Sequence, residues 1–238
     1  MGAGGLGGAS ALSLAVQGAQ VVVADKDGAA LESVARAAKD EGVEVVTLEA
    51  DVSTAEASRA LVAQATSIVG TPRLFLHAVG RNDRRPVLDL DDDDWQSILT
   101  LNLSTAWWLG QEVGRRMVAA RGGRIVFVSS VSALLAHADH APYAATKGGI
   151  NQMMRVMARE WAPHGVAVNA VGPGYVETDL TRTYLERDGH REALESLVPA
   201  GRLGKPAEVA DAVTFLLSER AEFITGQCLY IDGGRTLV

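Results

Sequence analysis

Short runs of apolar, mostly β-branched residues recur along the chain, and longer amphipathic stretches separate them. Most of these runs are apolar at successive positions, which is typical of strands buried on both faces of a parallel sheet. The pattern predicts strands at Val21–Asp25, Val43–Glu49, Leu74–Val79, Arg124–Ser129, Val166–Val171 and Gln227–Ile231.

The stretches between these runs are rich in alanine and leucine, with apolar residues three and four positions apart, the spacing of one helix face. They predict helices at Gly7–Gln17, Gly28–Glu41, Thr54–Val69, Asp94–Ala120, Tyr143–Ala162 and Pro206–Ser218. Regular alternation of strand and helix predicts an α/β fold, a Rossmann-like doubly wound parallel sheet with helices on both faces. The charged segment Glu177–Leu203 interrupts the alternation, and we expect it to be a mobile insertion that covers a substrate site.

Composition narrows the class of protein. The 238 residues are 47% hydrophobic and 21% charged, so we expect one globular domain over residues 1–238. The net charge of −7 argues against a nucleic-acid partner, and no apolar run is long enough for a membrane span. The single cysteine, Cys228, excludes an internal disulfide and suits a reducing cytoplasm, so we expect a cytoplasmic protein with a small-molecule substrate.

A glycine-rich segment, residues 2–8, leads directly into the first predicted helix. Gly2, Gly4 and Gly7 fit the pattern G-x-G-x-x-G, in which bare backbone lets a pyrophosphate approach the positive end of a helix. Asp25 ends the next strand, where an acidic residue of this fingerprint accepts a hydrogen bond from a ribose hydroxyl. Its carboxylate repels a 2′-phosphate, although Lys26 softens that repulsion, so NAD is expected in preference to NADP.

No predicted strand precedes this glycine segment, whereas the fingerprint ordinarily follows the central strand of the sheet. Loss of such a strand leaves backbone groups of its neighbours unpaired. Either the native chain begins upstream or another segment fills the gap. We therefore expect the first central strand to be missing from this chain.

A tyrosine and a lysine stand four residues apart at Tyr143 and Lys147, on one face of a predicted helix. A nearby ammonium group stabilises phenolate, so we expect Lys147 to lower the pKa of Tyr143 and make it a general acid/base. Ser130 stands at the carboxyl end of a predicted strand, where open α/β sheets bind their ligands. Its hydroxyl is placed to hydrogen-bond a substrate carbonyl.

These features, with Asp51-Val52, Asn102, Asn169-Ala-Val-Gly-Pro-Gly174 and Ile231-Asp-Gly-Gly234, resemble the short-chain dehydrogenase/reductase family over nearly the whole chain. The resemblance implies a catalytic tetrad of Asn102, Ser130, Tyr143 and Lys147. In that scheme Ser130 orients the carbonyl and Asn102 anchors a water in a proton relay. Lys147 also holds the nicotinamide ribose, and the likeness predicts a homotetramer or homodimer.

The same resemblance implies a set of residues around the dinucleotide. Asp51 and Val52 border the adenine; the others are Gly2, Gly4, Gly5, Leu6, Gly7, Asp25, Ala78, Gly80, Tyr143, Lys147, Pro173, Gly174, Val176 and Thr178. The chain departs from the family pattern where Asn-Asn-Ala-Gly is replaced by His77-Ala-Val-Gly80, and His77 is expected to be a satisfied buried polar group. His137 and His140 lack a third ligand nearby, so no metal site is expected.

The segment Arg81-Asn-Asp-Arg84-Arg85-Pro86 looks closest to gluconate 5-dehydrogenase-like members, whose substrates are secondary alcohols of sugar acids. This likeness predicts hydride transfer between NAD(H) and a secondary alcohol or ketone, such as a sugar acid or polyol. Arg84 and Arg85 are candidates to attract a carboxylate. The alternatives are a 3-oxoacyl thioester reductase and a catalytically impaired member that acts as an oligomeric scaffold.

Overall fold

The computed structural model describes residues 2–238, apart from the side chains of Asp179, Leu180 and Thr183. The strands are β1 Val21–Asp25, β2 Val45–Glu49, β3 Leu74–His77, β4 Gly123–Val128, β5 Val166–Pro173 and β6 Cys228–Ile231. The helices are α1 Gly5–Val16, α2 Gly28–Asp40, α3 Ala55–Val69, α4 Asp92–Leu99, α5 Thr105–Ala119, α6 Ala141–Trp161, α7 Asp179–Leu185, α8 His190–Ser196 and α9 Pro206–Leu217. Each predicted strand is present, with ends that differ by a residue or two.

All strand pairs are parallel, and they form two separate sheets. One contains β3, β4, β5 and β6 in that order, and the other contains only β1 and β2. Within residues 2–238 no strand lies between β1 and β3, as expected if the first central strand is missing. The α/β class with a parallel sheet is therefore confirmed, but the sheet is divided.

Helices cover both faces of the larger sheet because its central strands alternate their apolar side chains between the two faces. Ile125 and Phe127 of β4 pack in a core with α5 and α6, whereas Val126 between them packs with α9 on the other face. All of β5 is buried. A Cβ at Gly110 of α5 would lie 2.9 Å from Phe127, so glycine there lets the helix approach the sheet closely.

The prediction of one uninterrupted helix over Asp94–Ala120 is wrong in one respect. A π-helical turn at Thr100–Ser104 separates α4 from α5, and such insertions are frequent at functional sites. The acidic run ahead of α4 is a cap, because Asp91 Oδ1 accepts a hydrogen bond of 2.8 Å from the backbone of Asp94. The π turn carries Asn102 into the interior, where the residue is fully buried.

The charged segment 177–203 is mainly helical and contains α7 and α8. Arg191 of α8 forms an ion pair with Glu177 at the beginning of the segment. Val176 and Gly204, which flank the segment, form a parallel bridge, so its two ends lie side by side. The segment is therefore a closed excursion that leaves the chain and returns to it beside the carboxyl end of β5.

Candidate active site

Ser130 and Tyr143 meet at the carboxyl end of β4. Ser130 lies two residues after the last residue of the strand, and its Oγ accepts a hydrogen bond of 3.1 Å from the backbone of Ser132. Tyr143 lies in the first turn of α6, close enough to Ser130 for that hydroxyl to lower the pKa of the phenol. Both hydroxyls therefore face the same space at the end of the strand.

Lys147 follows Tyr143 by one helical turn and is only 3% exposed. Its Nζ donates a hydrogen bond of 2.7 Å to the carbonyl oxygen of Val128 and lies 5.3 Å from the centre of the Tyr143 ring. Burial lowers the pKa of Lys147 to about 8. The lysine is thus held beneath the tyrosine, with an ammonium group that titrates near neutral pH.

The expectation that Lys147 lowers the pKa of Tyr143 is wrong for this structure. Burial raises the pKa of Tyr143, while the Ser130 hydrogen bond and the positive charge of Arg84 oppose the increase. Desolvation outweighs both, because it disfavours the charged phenolate. Lys147 does not contribute, and its ammonium group is bonded to the backbone of Val128.

Asn102 joins this group from the π turn. Its Oδ1 accepts a hydrogen bond of 2.9 Å from the backbone nitrogen of Arg81, and its Nδ2 donates to the Arg81 carbonyl oxygen at 2.8 Å. A Cβ at Gly80 would lie 3.2 Å from Asn102 Oδ1 and 3.6 Å from Lys147 Nζ. The structure thus brings together all four predicted tetrad residues, with Gly80 between the amide and the ammonium group.

The glycine segment opens helix α1. Gly4 precedes the helix, no side chain caps it, and Gly5 has a φ of +48°. A Cβ at Gly7 would lie 1.8 Å from the carbonyl oxygen of Gly2, so only glycine permits this contact. The first-turn amides lack a side-chain acceptor and lie at the positive end of the helix dipole, the arrangement that binds phosphate groups.

A cavity of about 640 Å³ lies beside this helix end. A Cβ on Gly5 would stand 3.3 Å from Cβ of Thr178, so the glycine segment and the beginning of the 177–203 segment form adjoining walls. The lining includes Arg182, Leu185, Arg191 and Pro206. The lining also includes Glu177 and Glu186, and Glu177 pairs with Arg191. The uncapped amides and the glycine cradle, and not the arginines, are therefore the features that fit an anionic dinucleotide.

Other predicted cofactor residues lie elsewhere. Pro173 ends β5, Gly174 packs on Asp232, and Val176 is buried in the core that β5 forms with α9. A second cavity, of about 470 Å³, lies between β1 and β3, and its lining includes Gly2, Gly7, Asp25, Asp51, Val52 and Ala78. Gly5 and Thr178 line the first cavity and these six residues line the second, whereas the other predicted cofactor residues line neither.

Asp25 contacts backbone amides. Its two oxygens accept hydrogen bonds of 2.9 Å from Ala3 and 3.0 Å from Asp27, and the residue is 3% exposed. Burial raises the pKa of Asp25, but the positive charge of the N-terminus and these two hydrogen bonds together outweigh burial, so the pKa lies below its usual value. Asp51, by contrast, is exposed, and its Oδ1 accepts from Ser53 at 2.9 Å. The carboxylate of Asp25 ties β1 to the glycine segment.

A polar cluster beside Tyr143 extends the site. His137 Nδ1 lies 3.1 Å from Ser132 Oγ, and its Nε2 lies 3.2 Å from the Tyr175 hydroxyl. Burial lowers the pKa of both His137 and His140, so both rings are neutral at pH 7. No group of three potential metal ligands occurs among the residues that the structure describes. The pair instead forms a polar wall of the site.

The two adjacent arginines have different surroundings. Arg85 pairs with Asp83 and Asp94, the latter at 2.6 Å. Arg84 stacks on Tyr184, with its Cζ 3.9 Å from the ring centre, and its charge acts on Tyr143, His137 and His140. No carboxylate among the described side chains pairs with Arg84. Sequence reasoning did not separate these arginines, because the difference depends on where Asp94 lies in the fold.

Comparison with known proteins identifies the family. A family model described as "Enoyl-(Acyl carrier protein) reductase" matches residues 2–236. Galactitol 2-dehydrogenase (L-tagatose-forming) of Cereibacter sphaeroides is 36% identical, over 94% of this chain and 88% of its own. The 3-oxoacyl-(acyl-carrier-protein) reductase FabG of Pseudomonas aeruginosa is 35% identical, over 97% and 92%. A solved gluconate 5-dehydrogenase from Burkholderia cenocepacia, in complex with NADP and tartrate, is 33% identical with a TM-score of 0.93, covering 99% of this chain and 92% of its own.

The chain belongs to the short-chain dehydrogenase/reductase family. These matches confirm the family resemblance that the sequence motifs predicted. Members of this family are oxidoreductases that use a nicotinamide cofactor. In the part of this family member that the structure describes, no helix is long and apolar enough to cross a membrane.

Proposed function

We propose that the protein transfers a hydride between NAD(H) and a secondary alcohol or ketone of a sugar acid or polyol. The observation that carries this proposal is the convergence of Ser130, Tyr143, Lys147 and Asn102 at the carboxyl ends of β3 and β4. Arg84, without a carboxylate partner among the described residues, faces the same space.

The proposed mechanism assigns each residue one task. A bound nicotinamide dinucleotide supplies or accepts the hydride. Tyr143 moves the proton to or from the substrate oxygen, and Ser130 holds that oxygen by a hydrogen bond. Lys147 would bind the ribose beside the nicotinamide. Asn102, fixed by two hydrogen bonds to Arg81, holds the water through which the proton reaches solvent.

The positive end of α1 would bind the pyrophosphate through the amides of Gly5 and Leu6. Thr178, Pro173, Gly174 and Val176 would border the nicotinamide side and the phosphates, and Asp51 and Val52 would border the adenine. Gly80 would lie beside Lys147 at the nicotinamide ribose, and Ala78 would lie beside Gly7. We favour NAD because the negative charge of Asp25 opposes a 2′-phosphate. The NADP complex of the Burkholderia enzyme supports NADP as the second candidate.

The substrate class rests on Arg84. A guanidinium group without a carboxylate partner, next to the proton donor, favours a substrate that carries its own carboxylate. The hydroxyl of Tyr175 and the ring of His137 supply further hydrogen-bonding groups, which suit a polyhydroxylated chain. The 177–203 segment would cover the bound substrate, because its Tyr184 stacks on Arg84.

A homotetramer, or else a homodimer, is the proposed assembly. Large apolar side chains of α4, α5 and α6 are half exposed, including Trp95 at 42%, Trp107 at 44% and Val156 at 48%. Exposed apolar surface of this kind marks contacts between subunits. Light scattering on the purified chain tests the assembly.

A cytoplasmic location is proposed as well, because the single cysteine is consistent with a reducing compartment.

The second candidate is a 3-oxoacyl thioester reductase, which the Pseudomonas relative favours. The third is a catalytically impaired scaffold, which the divided sheet favours. One screen separates all three: sugar acids, polyols and 3-hydroxyacyl thioesters are each offered with NAD and with NADP. Oxidation of sugar acids with NAD supports the proposal, whereas turnover of thioesters alone overturns it. No turnover, with no binding of NADH at millimolar concentration, favours the scaffold.

A further inference from the structure

An aromatic ring holds the guanidinium group of Arg84. Its Cζ lies 3.9 Å from the centre of the Tyr184 ring, well within the range of a stacked cation and ring. Tyr184 belongs to α7, inside the 177–203 segment, whereas Arg84 belongs to the loop that follows β3. The contact therefore joins two parts of the chain that are a hundred residues apart.

The loop that carries Arg84 is fixed on both sides of that residue. Arg81 makes two backbone hydrogen bonds, of 2.9 and 2.8 Å, with the side chain of Asn102. Arg85 forms an ion pair of 2.6 Å with Asp94 at the beginning of α4. Among the described residues, no hydrogen bond or ion pair holds the guanidinium group of Arg84 itself. The direction of this long side chain therefore depends on the stacked ring.

The position of the Tyr184 ring is set within the 177–203 segment. The ring of His190, the first residue of α8, has its centre 4.5 Å from that of Tyr184. An ion pair between Glu177 and Arg191 joins the beginning of the segment to α8. The ring is thus held by its own segment, and the guanidinium group of Arg84 is placed by the ring.

The placement of Arg84 affects the chemistry of the site. Burial is the main influence on the pKa values of Tyr143, His137 and His140, but the positive charge of Arg84 acts on all three and lowers each pKa. A charge that acts on the proton donor and on both histidines lies beside the space that the substrate would fill. Displacement of this side chain would remove the charge from that space.

We infer that Tyr184 is a positioning residue for substrate selection, whose ring holds the Arg84 guanidinium group beside the proton donor, where the group binds the substrate carboxylate. Stacking uses the face of the guanidinium plane, and its N–H groups lie in that plane, so they stay available to a carboxylate. The inference rests on the proposed function, which assigns the carboxylate to Arg84, and extends it to a residue that need not touch the substrate.

The first test compares substrates. Tyr184→Leu removes the aromatic face, and Tyr184→Phe keeps it. Arg187→Met is the matched control, because Arg187 lies 5.9 Å from the same ring and its loss leaves Arg84 in place. We expect the ratio of kcat/KM for a sugar acid to that for a neutral polyol to fall by roughly three- to tenfold in Tyr184→Leu, chiefly through KM for the acid. In Tyr184→Phe and Arg187→Met the ratio should stay within about twofold of the wild type.

An unchanged ratio in Tyr184→Leu would overturn the inference, as would an equal fall in Tyr184→Phe, because the phenylalanine ring still stacks. If Tyr184→Leu fails to fold, Arg84→Lys replaces it, since lysine keeps the charge but lacks the planar group that stacks. A lower ratio in Arg84→Lys then supports the inference, and a ratio equal to that of the wild type overturns it.

The second test needs no substrate. The pKa values of His137 and His140 are measured by NMR titration. Arg84→Met should raise both by roughly 0.2 to 0.5 pH unit, because a positive charge is lost. Tyr184→Leu should raise both as well, and should add nothing in the Arg84→Met background, because it acts through Arg84. Unchanged histidine pKa values in Tyr184→Leu would overturn the inference. Raised values in a protein that oxidises no sugar acid would support the positioning of Arg84 and overturn only the proposed substrate class.

Discussion

The side-chain nitrogen of Lys147 lies 2.7 Å from the carbonyl oxygen of Val128, the last residue of β4. This hydrogen bond anchors the first two turns of α6 to the end of the strand, so Tyr143 and Ser130 are positioned by the same contact. Because the ammonium group is 3% exposed, it is held at the cost of desolvation. The hydrogen bond therefore fixes the position of the Lys147 ammonium group, although burial makes its positive charge unfavourable.

Replacement of Tyr143 by phenylalanine removes the proposed proton donor and leaves the packing of the ring intact. We expect kcat to fall by roughly 10²- to 10⁴-fold, with nearly unchanged affinity for NADH in a fluorescence titration. Tyr175→Phe is the matched control, because it also removes a hydroxyl from the site, and its effect should be much smaller. Residual Tyr143→Phe activity within about tenfold of the wild type would contradict the assigned role.

Lys147 makes stability depend on pH. Its pKa is about 8 in the folded chain and 10.5 as a free group, so between these values the unfolded lysine keeps a proton that the folded one has lost. The free energy of unfolding should therefore rise with pH. From about pH 7.5 to about pH 9.5 we expect a gain of about 2 kcal/mol relative to Lys147→Met. Denaturant unfolding of both proteins at each pH measures this gain. If the free energies of unfolding of the two proteins changed in parallel with pH, the pKa of Lys147 would not be lowered in the folded chain.

His77 has the corresponding effect in acid. Its pKa falls from 6.5 to about 3 on folding, so below pH 6.5 the histidine is protonated in the unfolded chain but stays neutral in the folded chain. The ring is 1% exposed, with Nε2 bonded to Thr105 Oγ1 at 3.0 Å and Nδ1 without a partner among the described residues, so the expectation of a satisfied buried polar group is only half correct. The contribution of His77 to the free energy of unfolding is fully present above pH 6.5 and is lost as the pH decreases below that value. From pH 7 to pH 5 we expect the wild type to lose about 2 kcal/mol more than His77→Gln, which retains a partner for Thr105. An equal loss in the two proteins would mean that His77 is protonated without penalty.

Asp25→Ala removes the negative charge proposed to exclude a 2′-phosphate. We expect the ratio of kcat/KM with NADP to that with NAD to rise by roughly tenfold. Asp51→Ala is the control, because an acid at the adenine should affect both cofactors alike. If Asp25→Ala left the ratio of kcat/KM with NADP to that with NAD unchanged, Asp25 would not be the residue that binds the ribose hydroxyl. Some loss of stability is expected as well, since Ala3 and Asp27 lose their acceptor.

The two neighbouring arginines allow a matched pair of substitutions. Arg84→Met should lower kcat/KM for a sugar acid by roughly ten- to hundredfold while leaving a neutral polyol nearly unaffected, because only the acid loses a charged partner. Arg85→Met should not discriminate between the two substrates, since Arg85 is bonded to Asp83 and Asp94. Equal losses of kcat/KM for the sugar acid and the polyol in Arg84→Met would show that Arg84 does not bind the substrate carboxylate.

Local patterns predicted much of this structure. The spacing of Tyr143 and Lys147 is sufficient to place them on one helix face, and Ser130 follows from its position at the end of an apolar strand. The parallel sheet follows from strands that are apolar on both faces. The break in the sheet between β1 and β3 also agrees with the strand pattern, which places no strand between them.

Properties that depend on distant contacts were not predictable. The π turn that buries Asn102 has no sequence periodicity of its own. The bond between Asp25 and Ala3 joins residues that only the fold brings together. The pKa of Tyr143 was predicted in the wrong direction, because the sequence shows the neighbouring lysine but not the degree of burial. The separate surroundings of Arg84 and Arg85 likewise depend on the position of α4.

The π turn at Thr100–Ser104 also constrains how this region of the chain can change in length. A π turn holds one residue more than an α-helical turn, so deletion of one residue there would close it to a regular α-helical turn and leave α4 and α5 with the faces that they now present. Trp107 would stay at the surface and Gly110 would stay against Phe127, but the turn that carries Asn102 into the interior would be lost. The extra residue between α4 and α5 therefore serves the position of Asn102 and not the packing of the two helices.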